Sequence, residues 1–100
     1  MSDLTSSNLV GHWATDPEDT ASLIEFGNVT LDFKEDGQST YTIHRDDRDQ
    51  LIFLTYRVEG DMLVTDQPSS PREERVPFAV TEDRLVLMVG GRPVRYVRVR

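Results

Sequence analysis

Leu9-Val10-Gly11-His12-Trp13 and Val94-Arg95-Tyr96-Val97-Arg98 lie near opposite ends of a 100-residue chain, and their reading decides the fold. The first holds the only Trp. The second has a strand-like pattern and carries an Arg two residues after a Tyr. If the strands between them curl into a closed sheet, the two stretches become neighbours and shut it. The intervening sequence must then supply strands and tight turns, and little else.

It does so from Asn28 onward, where the hydrophobic period is two. Val29, Leu31 and Phe33 alternate with Thr30, Asp32 and Lys34, the pattern of a half-buried strand. Lys34-Glu35-Asp36-Gly37 reads as a hairpin turn, with Gly37 free to take positive φ. Tyr41 and Ile43 continue the alternation, Asp46-Asp47-Arg48-Asp49 is a charged turn, and Leu51 to Val58 is a long strand. An internal repeat follows. Tyr56-Arg57-Val58-Glu59-Gly60-Asp61-Met62-Leu63-Val64 matches Phe78-Ala79-Val80-Thr81-Glu82-Asp83-Arg84-Leu85-Val86, 22 residues on. Each copy is strand, turn, strand, and two such hairpins in succession imply a meander. Pro68 and Pro71 keep the segment from Gln67 to Glu74 out of any central strand, and Gly90-Gly91 forms a primed two-residue turn.

Eight strands are thus predicted, at 9–14, 28–34, 38–45, 50–59, 62–66, 75–80, 84–89 and 93–99. The fold class is all-β. Eight short antiparallel strands in a meander close into an up-and-down barrel; a two-sheet sandwich is the alternative. One short helix is expected after the first strand. Thr15 or Asp16 would cap it, Pro17 suits its first turn, and Gly27 would end it. Residues 1–8 are polar and expected to form a flexible N-terminus, leaving 9–100 as a single domain.

Net charge is −7 and unevenly spread. Residues 1–50 carry 11 acidic and 3 basic side chains, residues 51–100 carry 7 and 8. An acidic front half argues against nucleic acid and anionic membrane as partners, and Arg92, Arg95, Arg98 and Arg100 on one strand lack the extent of a nucleic-acid footprint. There is no Cys, which excludes disulfides and thiolate metal sites. The first residues do not read as a secretory signal and no apolar stretch approaches the roughly 20 residues of a membrane span, so a cytoplasmic location is the expectation.

The two ends carry a resemblance. Gly11-His12-Trp13 is similar to the Gly-x-Trp signature of lipocalins, and Tyr96-Val97-Arg98 places an Arg where that family lays one against the Trp. With Phe33-Lys34-Glu35-Asp36-Gly37 and the two Val-x-x-Asp-x-Leu hairpins, the chain resembles the small bacterial lipocalin-like domains, a calycin-type barrel, from about Leu9 to Val99. Ten of the eleven basic residues are Arg, which accords with a GC-rich bacterial source. The chain departs from secreted lipocalins in its shorter length, its lack of Cys and first residues that do not read as a signal peptide. The resemblance implies a barrel closed by Gly11, Trp13 and Arg98, with a ligand inside.

An eight-stranded barrel is just wide enough to fill with side chains or to hold one small ligand. The inward set, from Trp13 and Val29 through Leu85 and Tyr96, is bulky, so most of the interior is expected to be occupied. Tyr41, Tyr56 and Tyr96 are the candidate ligand-binding residues, since a buried phenol needs a partner; the alternative is core residues whose hydroxyls reach the barrel mouth. Val86, Met88, Val97 and Val99 form an outward apolar face that is expected to join two copies in a homodimer; the alternative is a monomer in which the helix near Ser22–Phe26 covers it.

No reaction chemistry is legible. His44 beside Asp46, Asp47 and Asp49 reads as a solvated turn that Arg48 would close to a cation; His12 has no partner set, and no calcium-loop, nucleophile-elbow or phosphate-loop spacing occurs. No metal, cofactor or catalytic residue is assigned. The expected function is a non-enzymatic binding barrel for a small apolar or amphipathic molecule or a protein partner. The alternative is an acidic inhibitor or immunity-type protein with a filled core, and an enzyme is the least favoured reading.

Overall fold

The computed structural model describes residues 9–69 and 71–99. The expected N-terminal segment 1–8, and Arg100 of the arginine group, lie outside the described residues. The strands are β1 (Gly11–Thr15), β2 (Asn28–Phe33), β3 (Gln38–His44), β4 (Asp49–Glu59), β5 (Met62–Asp66), β6 (Glu73–Val80), β7 (Arg84–Val89) and β8 (Arg92–Arg98), with one helix, α1 (Thr20–Phe26), between β1 and β2. Every strand pairs antiparallel with the one before it, and β1 pairs with β8 through Trp13↔Arg98, Ala14↔Val97 and Thr15↔Tyr96. The sheet is a closed eight-stranded barrel, not a sandwich. Closure removes the two unpaired strand edges that an open meander would present to solvent.

The two ends of the barrel differ. At the lower end, where β1 begins, each hairpin turn continues its pairing into the following strand. The carbonyls of Gly37, Asp61 and Asp83 accept the backbone N–H groups of Tyr56, Phe78 and Arg98. The last two are the equivalent turns of the internal repeat. His12 accepts from Val99 N–H at 2.9 Å and completes the ring. The turns at the upper end, 45–48, 67–72 and 90–91, make no such backbone bond among the described residues. The lower end is therefore sealed by main chain, and the upper end is held by side chains and α1.

α1 starts later than its sequence suggests. Its cap is Asp19, whose Oδ1 accepts Ser22 N–H at 3.3 Å and whose Oδ2 accepts the Ser22 hydroxyl at 2.6 Å. Thr15 and Asp16 are taken by other work. Thr15 Oγ1 accepts Val29 N–H at 3.0 Å and donates to Val29 O at 3.2 Å, which ends β1 against β2. Asp16 is buried and accepts Arg84 Nη1 at 3.0 Å. Because β1 is only five residues long, it leaves the upper half of β8 paired on its β7 side alone. α1 occupies that gap: Asp19 Oδ2 accepts Arg95 N–H at 3.0 Å, and Glu25 pairs with Arg92.

The core lies low in the barrel. Leu9, Trp13 and Leu85 are fully buried, with Leu31, Phe33 and Phe78 around them, and Val29 extends the buried cluster upward beside Thr15. Val64 departs from the alternation. It pairs between Arg57 and Arg75 on the outer face, yet it is only 1% exposed. Arg57, Glu59, Arg75 and Glu73 form four ion pairs across that face, and their aliphatic stems close over it. The other outward apolar face is less continuous than alternation alone implies. Val86 sits opposite Arg95, Met88 opposite Pro93, and Val97 between Ala14 and Arg84; Met88 and Val99 are the exposed members. α1 directs Phe26 toward the barrel interior, and Ile24 is left outside at 86% exposure.

Candidate functional site

The sealed end is built from the two stretches that opened the sequence reading. Trp13 points inward from β1, and its Nε1 donates to Leu9 O at 2.9 Å, so the indole nitrogen is satisfied within the core. Arg98, inward on β8 directly opposite, lays its guanidinium 4.2 Å from the Trp13 ring centroid. Its Nη1 donates to Val10 O at 2.9 Å and its Nε to Glu82 O at 2.6 Å. The planar fork thus stacks on the ring and ties the start of β1 to the β6–β7 turn at once. Gly11 makes room for it: a Cβ built there would lie 2.5 Å from Arg98 Nη1, and the backbone φ is +132°. These three residues plug the lower end and take no part in the lining of the cavity above them.

Above the plug the interior is hollow. A cavity of about 350 Å³ runs from Leu31, Phe33 and Leu63 up to the mouth, where Phe26, Gln67, Arg72, Glu74 and Val89 surround the opening. The expectation of a largely occupied interior holds for the lower half only. Ser39 explains the difference. It is inward and buried between Phe33 and Leu54 in register, a position where a large side chain would fill the space. Thr65, two residues after Leu63, adds a second small inward side chain. Both were legible as members of the inward phase, and both escape a search for bulky apolar positions.

The three tyrosines separate. Tyr41 and Tyr96 line the cavity, and Tyr56 does not. The Tyr56 hydroxyl donates to Lys34 O at 2.5 Å and its ring packs edge-on against Phe33 at 5.0 Å, so it braces the β2–β3 turn. Neither Tyr41 nor Tyr96 has a hydrogen-bond partner for its hydroxyl among the described residues, and neither hydroxyl is fully enclosed, so both open onto the cavity. Burial pushes the Tyr96 phenol far above its usual range, with Tyr41 and Asp19 adding to the effect. Burial raises Tyr41 as well. Both remain neutral phenols near neutral pH, able to donate and to accept.

The remaining polar groups are engaged elsewhere. His44 lies on the outside, with Nε2 2.6 Å from Thr30 Oγ1 and Nδ1 3.1 Å from Asp49 Oδ1. His12 is exposed, 3.5 Å from Asp32. Among the described residues no group of three His, Asp or Glu side chains is placed to hold a metal ion, and no helix is long and apolar enough to cross a membrane. No family model matches the chain, and searches of curated proteins and of solved structures find no match either.

Proposed function

We propose that this chain is a non-enzymatic, lipocalin-like binding barrel whose ligand site is the upper cavity. The observation that carries the reading is the cavity itself, about 350 Å³ with mainly apolar walls and two phenols that have no hydrogen-bond partner among the described residues. That volume falls in the range of small-molecule sites, which combine apolar walls with a few convergent polar groups. The Gly11–Trp13–Arg98 plug supports the lipocalin likeness, because Arg98 lies against the Trp of the Gly-x-Trp stretch as the resemblance implies. The acidic-inhibitor alternative rests on the acidic front half and a filled core, and the open interior favours the ligand reading over its second premise.

The test is titration with the uncharged fluorophore 1-aminoanthracene, whose emission rises on transfer to an apolar site. Wild type should bind it saturably. Ser39→Leu and Val94→Phe, which grow into the cavity from opposite walls, should abolish the binding while each variant unfolds cooperatively. Undiminished binding in both folded variants would place the fluorophore elsewhere and refute the reading.

A further inference from the structure

Taking the upper cavity as a ligand site, we propose that it selects uncharged ligands: a small, largely apolar molecule whose hydroxyl or carbonyl group meets Tyr96, Tyr41 and Ser39, with carboxylates and ammonium groups excluded. The argument starts from what the wall can offer. Four hydroxyls face the hollow, those of Ser39, Tyr41, Thr65 and Tyr96, and none has a protein hydrogen-bond partner among the described residues. Hydroxyls left without partners at a buried wall are satisfied by water or by a ligand that replaces it. Each can donate or accept, so the set matches an alcohol, a ketone or an ester equally well.

Charge is what the wall does not offer. The charged lining residues, Arg72 and Glu74, stand at the mouth, both exposed, and Arg72 Nε pairs with Glu74 Oε1 at 3.3 Å. A buried carboxylate would have only neutral donors around it, and the Asp19 carboxylate near Tyr96 would repel it. Asp19 does not serve a buried ammonium either. It is already occupied by the Ser22 hydroxyl, Ser22 N–H and Arg95 N–H. An ion that loses its hydration shell without a counter-charge incurs a desolvation cost that a neutral hydroxyl mostly avoids.

Displacement of bound 1-aminoanthracene by three equal-length molecules at neutral pH tests this: octan-1-ol, octanoate and octylammonium. The alcohol should displace the fluorophore at a concentration about tenfold or more below either ion. Tyr96→Phe should weaken the alcohol by roughly threefold to tenfold, the worth of one neutral hydrogen bond. Octanoate or octylammonium displacing as well as the alcohol would overturn the proposal and leave the cavity standing as a ligand site. An unchanged alcohol affinity in a folded Tyr96→Phe variant would overturn the role given to Tyr96. Failure of 1-aminoanthracene itself to bind would overturn the binding reading, and this proposal with it.

Discussion

Replacing Gly11 with Ala tests the sealed end most sharply. The new Cβ would stand 2.5 Å from Arg98 Nη1, so the guanidinium must withdraw by roughly 1 Å to reach ordinary van der Waals contact. It is not free to do so. Nη1 is bonded to Val10 O at 2.9 Å, Nε to Glu82 O at 2.6 Å, and the plane rests on Trp13. A 1 Å withdrawal takes the Val10 bond beyond hydrogen-bonding range. Backbone strain at φ +132° adds to this. A strained backbone (about 1–3 kcal/mol), a lost charge-assisted hydrogen bond (about 1.5–3) and a weakened ring contact (about 0.5–2) overlap, and the expected total is about 3–5 kcal/mol. Gly60→Ala is the control. Its φ is +63° but nothing lies within 4 Å of the added Cβ, so it should cost only about 1–2 kcal/mol of backbone strain. Urea unfolding followed by fluorescence of Trp13, the only Trp, measures both. The combination with Arg98→Ala isolates the clash: once the guanidinium is gone, Gly11→Ala should lose about 1–3 kcal/mol of its cost. A Gly11→Ala variant no less stable than Gly60→Ala, or strict additivity with Arg98→Ala, would refute the packing argument.

Trp13→Ala should cost roughly 3–5 kcal/mol, enough to unfold a marginal domain, which circular dichroism would show. Tyr56→Phe should destabilise by about 1 kcal/mol through loss of its bond to Lys34 O, whereas Tyr96→Phe, whose hydroxyl bonds no described protein group, should leave the urea midpoint nearly unchanged. On the alkaline side the raised Tyr96 pKa means that the unfolded chain releases its phenolic proton first. That contribution is complete below about pH 10 and is lost as pH rises toward the folded value, so Tyr96→Phe should flatten the fall in stability above pH 10. The hydrogen bonds from Ser22 and Arg95 lower the Asp19 pKa, so its contribution is present above the ordinary Asp value and lost as pH falls through the folded one; Asp19→Asn should remove that acid dependence. With Arg84 and Arg95 interrupting the Val86 and Met88 face, gel filtration should give the same monomer size for wild type and Met88→Glu, and a shift between them would show two copies joined there.

The strands were legible because each turn carries its own chemistry and each strand its period of two. Gly60, Gly90-Gly91 and the repeated Asp61 and Asp83 set boundaries to within a residue or two. The largest departures were two residues: β1 starts at Gly11 rather than at Leu9, and β6 starts at Glu73 rather than at Arg75, since Pro71 masks how soon pairing resumes. Closure was legible from Trp13 and Arg98 because both ends of the chain carry the pattern. What alternation could not show is anything set by side chains from several strands at once. Val64 reads as outward, and it is buried only because Arg57, Glu59, Glu73 and Arg75 meet above it. Asp19, not Thr15 or Asp16, caps the helix because β1 and Arg84 claim the earlier two. The cavity depends on Ser39 and Thr65 facing inward at one level, a coincidence of register between strands.

A barrel sealed below should admit a ligand only from above. Methyl-labelled Leu and Val, observed by NMR during titration with octan-1-ol, tests it directly. Leu31, Leu54, Leu63, Leu87 and Val94 line the cavity, and their methyl resonances should move saturably with ligand. Leu9 and Leu85 sit in the plugged core, and Val29 is buried against Thr15; all three lie outside the cavity lining, and theirs should stay in place. Shifts confined to the exposed Leu51 and Val99, or spread evenly over plug and cavity alike, would contradict the account.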